Sequence, residues 1–320
     1  MYDDVPKYVQ DFLEYMTGIK NRSKSTVHEY YYDLRFAFKY FYLTKKGYKD
    51  QNITEELLNS TNISNLDINF LKSIELGDLH KYLNYLAEKQ DDKATTRSRK
   101  VSALKSFFSY CASKVKIISV NPAIELETPK LPKRLPKYLS LDESLTLLNS
   151  VSGDFEKRDY CILTLFLNCG MRLSELVNIN LYNIRDNVLT VIGKGDKERS
   201  IYLNESCQKA LKEYIAVKPK DKLKDKDALF ISKRGTRISQ RMVEVLVKKY
   251  IIIAGLDPKK YSPHKLRHTA ATLMHKYGGV DIRALQQLLG HESISTTEIY
   301  THVDSDQVKN AVESNPLNNM

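Results

Sequence analysis

The sequence predicts a mainly α protein with a small β-sheet, folded as two domains. Three observations lead there. Apolar residues recur at intervals of three and four over most of the 320 residues, the period of a helix with one buried face. A single pair of strand-like runs, NVLTVIG and RSIYLN, flanks the turn GKGDKE and reads as a hairpin. A stretch dense in proline and lysine, NPAIELETPKLPKRLPKYLS, excludes helix and divides the chain into two lengths of ordinary domain size. Apolar residues make up 42% of the chain, enough for each length to bury a core.

In chain order, a first helix is expected over Val5 to Gly18, with Tyr8, Val9, Phe12, Leu13 and Met16 on its apolar face. A second, about Lys24 to Lys45, carries Tyr30, Tyr31, Tyr32, Phe36, Phe38, Tyr40, Phe41 and Tyr42. Core packing of a small helical domain accounts for these rings; phosphate contact by some of the hydroxyls is the other reading. Residues 47–75, weakly periodic and rich in Asn, Thr and Ser, read as a loop with one short helix, an insertion. Helical pattern resumes at Leu79, Tyr82, Leu83 and Leu86. In the next segment Val101, Leu104, Phe108, Cys111 and Val115 form one stripe. From Lys93 to Ile124 there are seven basic residues and no acidic one, among them Arg97, Arg99, Lys100 and Lys105. A charge run is usually a solvated face, but a face of one sign on a mixed domain is better explained by phosphate contacts.

The Pro-rich stretch interleaves Pro122, Pro129, Pro132 and Pro136 with Lys130, Lys133, Arg134 and Lys137. It sets the expected organisation: a helical domain over 1–127, a basic linker over 128–138, and a second domain over 139–320. The linker is either a plain connection or a basic strap along a polyanion. The second domain opens on a capping box at Ser140 and Glu143, followed by a buried helix around Tyr160 to Cys169. Gly170 then turns the chain so that Arg172 starts a helix. Lys194 and Lys197 lie in the hairpin turn. A helix near Glu205 to Ala216, a strand and turn in ALFISKRGTRIS and a helix from Gln240 to Ala254 follow.

The reactive side chains concentrate between Ser262 and His302. A helix opening at Ser262 and Pro263 and stopping at Gly278 and Gly279 puts His264, Arg267 and His268 on one face. A second, Asp281 to Leu289, buries Ile282, Leu285, Leu288 and Leu289 and ends at Gly290, leaving His291 just past its end. Tyr300 follows nine residues later. His264 and His268 could form half a zinc site, but Lys265 stands where the HExxH motif needs Glu, and Arg267 would repel a cation. Beyond Tyr300, Val308, Ala311 and Val312 mark a short amphipathic tail helix.

HKLRHT followed by LLGHESISTTEIYTH resembles the C-terminal signature of the tyrosine recombinases of the phage-type integrase family, in particular its Xer-like members. The resemblance is weak in the N-terminal length and strong from Arg172 onward. It implies a helical, SAM-like N-terminal domain that binds core DNA and an α+β catalytic domain. The catalytic set it implies is Arg172, Lys194, His264, Arg267, His291 and Tyr300, with Glu175 and His268 supporting. DNA contacts are expected from Arg97, Arg99, Lys100, Lys105, Lys130, Lys133 and Arg134. The residue types suit the chemistry. A tyrosine with a pKa near ~10 needs neighbours that favour its phenolate, guanidinium forks bind two phosphate oxygens at once, and a lysine can protonate the leaving 5′ oxygen. Because a phosphotyrosyl bond stores the energy of the ester it replaces, no cofactor and no metal is expected.

The implied reaction is site-specific recombination, either in chromosome dimer resolution or in mobile-element integration and excision. A homo-tetramer, or a hetero-tetramer with a second recombinase, would assemble on double-stranded DNA. A type IB topoisomerase and a non-catalytic sequence-specific DNA-binding protein are the rival readings. The net charge of +11 agrees with a polyanionic partner. The four cysteines are scattered and read as buried thiols of a reducing compartment. The opening MYDDVPKYVQ lacks an apolar signal region, and the longest apolar runs fall short of the roughly 20 residues of a membrane span. A cytoplasmic, membrane-free protein is expected.

Overall fold

The computed structural model describes residues 2–130, 137–193, 198–221, 223–290 and 297. Lys133, Arg134, Lys194, Lys197, His291, Tyr300 and the residues of the expected tail helix lie outside the described residues. The chain forms two compact units, Met1–Lys133 and Arg134–Met320.

The first unit is helical: α1 (Lys7–Gly18), α2 (Lys24–Lys45), α3 (Glu55–Ser60), α4 (Ile68–Lys72), α5 (Leu76–Glu88) and α6 (Ala94–Ser113). Helices α1, α2, α5 and α6 pack around an aromatic core that includes Phe12, Phe38, Phe41, Tyr82 and Phe107. The buried Tyr40 donates its hydroxyl to Asp50 at 2.9 Å and Tyr85 donates to the Ile53 carbonyl at 3.3 Å, so these polar tips are satisfied inside the fold. Of the Tyr and Phe rings of α2, Tyr32 stays exposed.

Residues 47–75 are not a peripheral insertion. They hold α3, α4 and a 3₁₀ turn at Asp50–Asn52, and they bury Ile53, Leu58, Ile63, Leu71 and Ile74 in the core. The two α-helices are six and five residues long, too short to show a helical period, and each is capped: Thr54 accepts from Leu57 N–H and Asp67 from Phe70 N–H. Val115, expected on the α6 stripe, lies past the end of the helix and is exposed.

The second unit contains α7 (Leu141–Asn149), α8 (Glu156–Cys169), α9 (Leu173–Val177), the strands β1 (Ile184–Arg185), β2 (Val188–Ile192) and β3 (Glu198–Tyr202), then α10 (Glu205–Val217), α11 (Gln240–Ile253), α12 (Pro263–Gly278) and α13 (Ile282–Leu289). The capping box of α7 forms as expected, with Ser140 Oγ accepting from Glu143 N–H at 3.1 Å and Glu143 accepting from Ser140 N–H at 2.8 Å. From Cys161 to Cys169 helix α8 is buried on nearly every side, with α10 and α12 both packed on it. The sheet is antiparallel in the order β1-β2-β3, with Leu189 opposite Ile201 and Val191 opposite Arg199. Strand β1, two residues long, escaped the sequence reading. The segment ALFISKRGTRIS makes isolated bridges, Ile231 with Arg237 and Asn180 with Ala228, rather than a strand.

All four cysteines are buried free thiols, and Cys169 and Cys207 bring their sulfurs to 3.6 Å. Among the described residues no helix is long and apolar enough to cross a membrane. Of the apolar face expected on α13, Leu285 and Leu289 are fully buried, whereas Ile282 and Leu288 are half-buried.

Candidate active site

The site is built where the end of α8, the start of α9, the inner face of β3 and the end of α13 meet. Gly170 ends α8 in the left-handed region at φ 57°, a conformation that favours glycine. A Cβ there would stand 2.9 Å from Leu289 Cδ2, so any other residue would also make that buried side chain of α13 shift. The turn places Arg172 as N-cap of α9, and Glu175 reaches back to it. Glu175 Oε2 accepts the Arg172 backbone N–H at 2.7 Å and Oε1 accepts its guanidinium Nη1 at 2.7 Å.

Arg267 projects from α12 with only 3% of its surface exposed. It donates through Nη1 to the Gly170 carbonyl at 2.6 Å and through Nη2 to the Leu289 carbonyl at 2.7 Å, and Nη1 lies 4.0 Å from Glu175 Oε2. Arg172 donates through Nη2 to the Gly290 carbonyl at 2.7 Å. Two arginines 95 positions apart in the chain are thus held by one carboxylate and by consecutive carbonyls at the end of α13.

Glu175 is buried, and burial, the largest single influence, pushes its carboxyl up. The hydrogen bonds and charges of Arg199 and then Arg172 outweigh that and hold it below the ordinary carboxylate value. His264 stands at the outer edge of α12, its Nε2 3.0 Å from that of the buried His268. The partial burial of its ring, then the positive charges of Lys265, Arg267 and Arg172, lower its pKa below the ordinary 6.5 and favour the neutral imidazole. Arg172, His264 and Arg267 line a cleft of about 650 Å³ together with Tyr261, Gln240 and Lys248.

The structure therefore gathers Arg172, Glu175, His264, Arg267 and His268 in one place. Arg199 joins them and was missed from the sequence, although it stands two residues from the buried Ile201 on the inward face of β3. A charged residue at an inward strand position was the available signal.

The α6 cations Arg97, Arg99 and Lys100, which the sequence assigns to phosphate contacts, make pairs within their own unit. Arg99 pairs with Asp33 and, at 2.8 Å, with Glu29; Lys100 pairs with Asp92 at 3.1 Å and lies over the Phe36 ring; Arg97 donates to the Asp92 carbonyl at 2.8 Å. The face has one sign only in the local sequence, and α2 with the residue before Lys93 supplies the acids. Lys105 is half-buried and Lys130 exposed.

This helical unit with its small three-stranded sheet has the fold class of an integrase-type catalytic domain, and comparison with known proteins agrees. Residues 137–307 match the model of the phage integrase family. The tyrosine recombinase XerC of Caldanaerobacter subterraneus subsp. tengcongensis is 52% identical over 312 residues, covering 98% of this chain and 87% of that protein. The tyrosine recombinase XerD of Proteus mirabilis is 41% identical over 245 residues, covering 74% and 77%. The solved structure of the Tn1549 transposon integrase in complex with transposon right end DNA superposes with a TM-score of 0.73 at 19% identity, covering 96% of this chain and 98% of that one. The chain belongs to the phage integrase family as an Xer-like tyrosine recombinase, an enzyme of site-specific DNA strand transfer.

Proposed function

We propose that the enzyme cuts and rejoins double-stranded DNA through a 3′-phosphotyrosyl intermediate on Tyr300. The observation that supports this most directly is the convergence of Arg172 and Arg267 on Glu175 beside His264, on one wall of an open cleft. Two guanidiniums presented together suit the doubly charged oxygens of a phosphoryl transition state. In the proposed step the Tyr300 oxygen bonds to phosphorus and the bond from phosphorus to O5′ breaks. The phenolic proton passes to His264 or His291, and O5′ takes a proton from Lys194, with Lys197 the rival donor. The free 5′ hydroxyl of a partner strand then reverses the step, so the ester energy is conserved.

On the same reading, Lys105, Lys130, Lys133, Arg134 and, after exchange of its internal bond, Arg97 contact backbone phosphates. Arg99 and Lys100 organise the helical unit through their acids. Four protomers would join two duplexes in the cytoplasm, with the tail stripe of Val308, Ala311 and Val312 docking on a neighbouring protomer, since so short a helix is marginal alone.

The test uses a duplex selected by the wild-type protein from a random-sequence pool, nicked so that the cleaved end diffuses away. Wild type should trap a covalent protein–DNA adduct on it, and Tyr300→Phe should bind the same duplex without forming one. An adduct in Tyr300→Phe would move the nucleophile elsewhere. Relaxation of plasmids lacking the selected site, with no pairing of two sites, would favour a topoisomerase.

A further inference from the structure

We propose that Arg199 is a positioning residue of the strand-transfer reaction, fixing Arg172 and Arg267 through Glu175 and through the end of α13. The inference rests on the reading of Arg172 and Arg267 as the phosphate clamp.

Arg199 occupies an inward position of β3, opposite Val191, where an apolar side chain would ordinarily pack. A guanidinium brought there must be paired to be tolerated. It donates through Nη2 to Glu175 Oε2 at 2.9 Å and through Nε to Oε1 at 3.4 Å, and through Nη1 to the Leu288 carbonyl. With those bonds the cluster closes. Arg199, Arg267 and Arg172 hold the consecutive carbonyls of Leu288, Leu289 and Gly290, and all three surround the Glu175 carboxylate. Cations at a helix C-terminus also meet the negative end of its dipole.

Two further facts give Arg199 leverage over the other two arginines. It is the largest of the influences that keep Glu175 ionised against burial, so the partner of Arg172 depends on it. Its aliphatic stem packs against Gly290, where an added Cβ would stand 3.0 Å from Arg199 Cδ, and the Gly290 carbonyl is the second anchor of Arg172. Among the described residues, the cleft is lined by Arg172 and Arg267 and not by Arg199, so the proposed action of Arg199 runs through those two.

A positioning role predicts a defect that follows the charge of the scissile group. The adduct rate is measured in a single turnover on the selected duplex for wild type, Arg199→Ala and Arg199→Lys. Each is tested on the ordinary phosphodiester and on a methylphosphonate at the scissile position, which carries one negative charge fewer. On the phosphodiester, Arg199→Ala should cleave about 100-fold more slowly, the scale of a lost oxyanion donor, with duplex binding within about threefold of wild type. Arg199→Lys, which keeps the charge without the fork, should lose about tenfold. On the methylphosphonate both deficits should shrink at least about tenfold and about threefold respectively, because less charge has to be met.

An equal deficit on the two linkages, or cleavage by Arg199→Ala within about threefold of wild type on both, would overturn the inference while leaving the clamp intact. If Arg199→Ala fails to fold, the same comparison is read from Arg199→Lys and from Arg199→Gln. Absence of an adduct from wild type itself would overturn the functional reading and this inference with it.

Discussion

Glu175 holds Arg172 at both ends, accepting its backbone N–H on one carboxylate oxygen and its guanidinium on the other, each at 2.7 Å. Removing one partner from a buried charge set leaves the others uncompensated and typically costs ~3–5 kcal/mol. Glu175→Gln should therefore lower unfolding stability by that order in urea titrations and slow adduct formation by more than about tenfold. The folded pKa of Glu175 lies below its unfolded value, so its contribution is complete above the ordinary 4.5 and is lost as pH falls through the folded value. Wild-type stability should accordingly fall more steeply with acid than that of Glu175→Gln. Parallel acid slopes for the two proteins would contradict this.

The arginines differ in burial, which separates their structural from their chemical effects. Both Arg172→Ala and Arg267→Ala should reduce cleavage by about 100-fold or more. Arg267 is nearly fully enclosed and satisfies the carbonyls of Gly170 and Leu289, whereas the Arg172 side chain is 30% exposed. Arg267→Ala should therefore be the less stable of the two in thermal unfolding, since it strands buried acceptors.

Gly170→Ala tests the joint between α8 and α13. The left-handed φ costs a non-glycine residue roughly 1–2 kcal/mol, and the added Cβ meets Leu289 at 2.9 Å. A destabilisation of about 2 kcal/mol is expected, with loss of adduct because the Gly170 carbonyl anchors Arg267. Wild-type stability and wild-type cleavage in this variant would show that the joint is slack.

The catalytic helices were legible in the sequence for local reasons: Ser262 with Pro263 and the two glycines at 278 and 279 mark ends, and three- and four-residue spacing marks faces. Arg172 and Arg267 were legible through residue type and the family resemblance. Their shared carboxylate was recognised only as a supporting residue, because spacing within α9 says nothing of α12. Arg199 was hidden because its partners lie 24 and 89 positions away. The same blindness affected Arg99, whose acid Asp33 is 66 positions distant; residues 47–75 escaped for another reason, because helices of five and six residues are too short to show a period.

His264 offers a spectroscopic check. Partial burial and then the charges of Lys265, Arg267 and Arg172 place its pKa below 6.5. In an NMR titration its ring should titrate below that value, and Lys265→Ala should move the midpoint upward. A midpoint above 6.5 in wild type would contradict the lowered value and the burial and charges held responsible for it.

Helix α13 is eight residues long and rests on a small apolar cluster, Ala271, Leu285 and Leu289, separate from the main core of its unit. A helix of that length does not persist by itself in water, so its order depends on that cluster and on the arginines at its end. In native-state hydrogen exchange its amides should open at a lower free energy than those of α8, as an opening unit of their own. Helix α13 can then breathe while the rest of the unit stays shut.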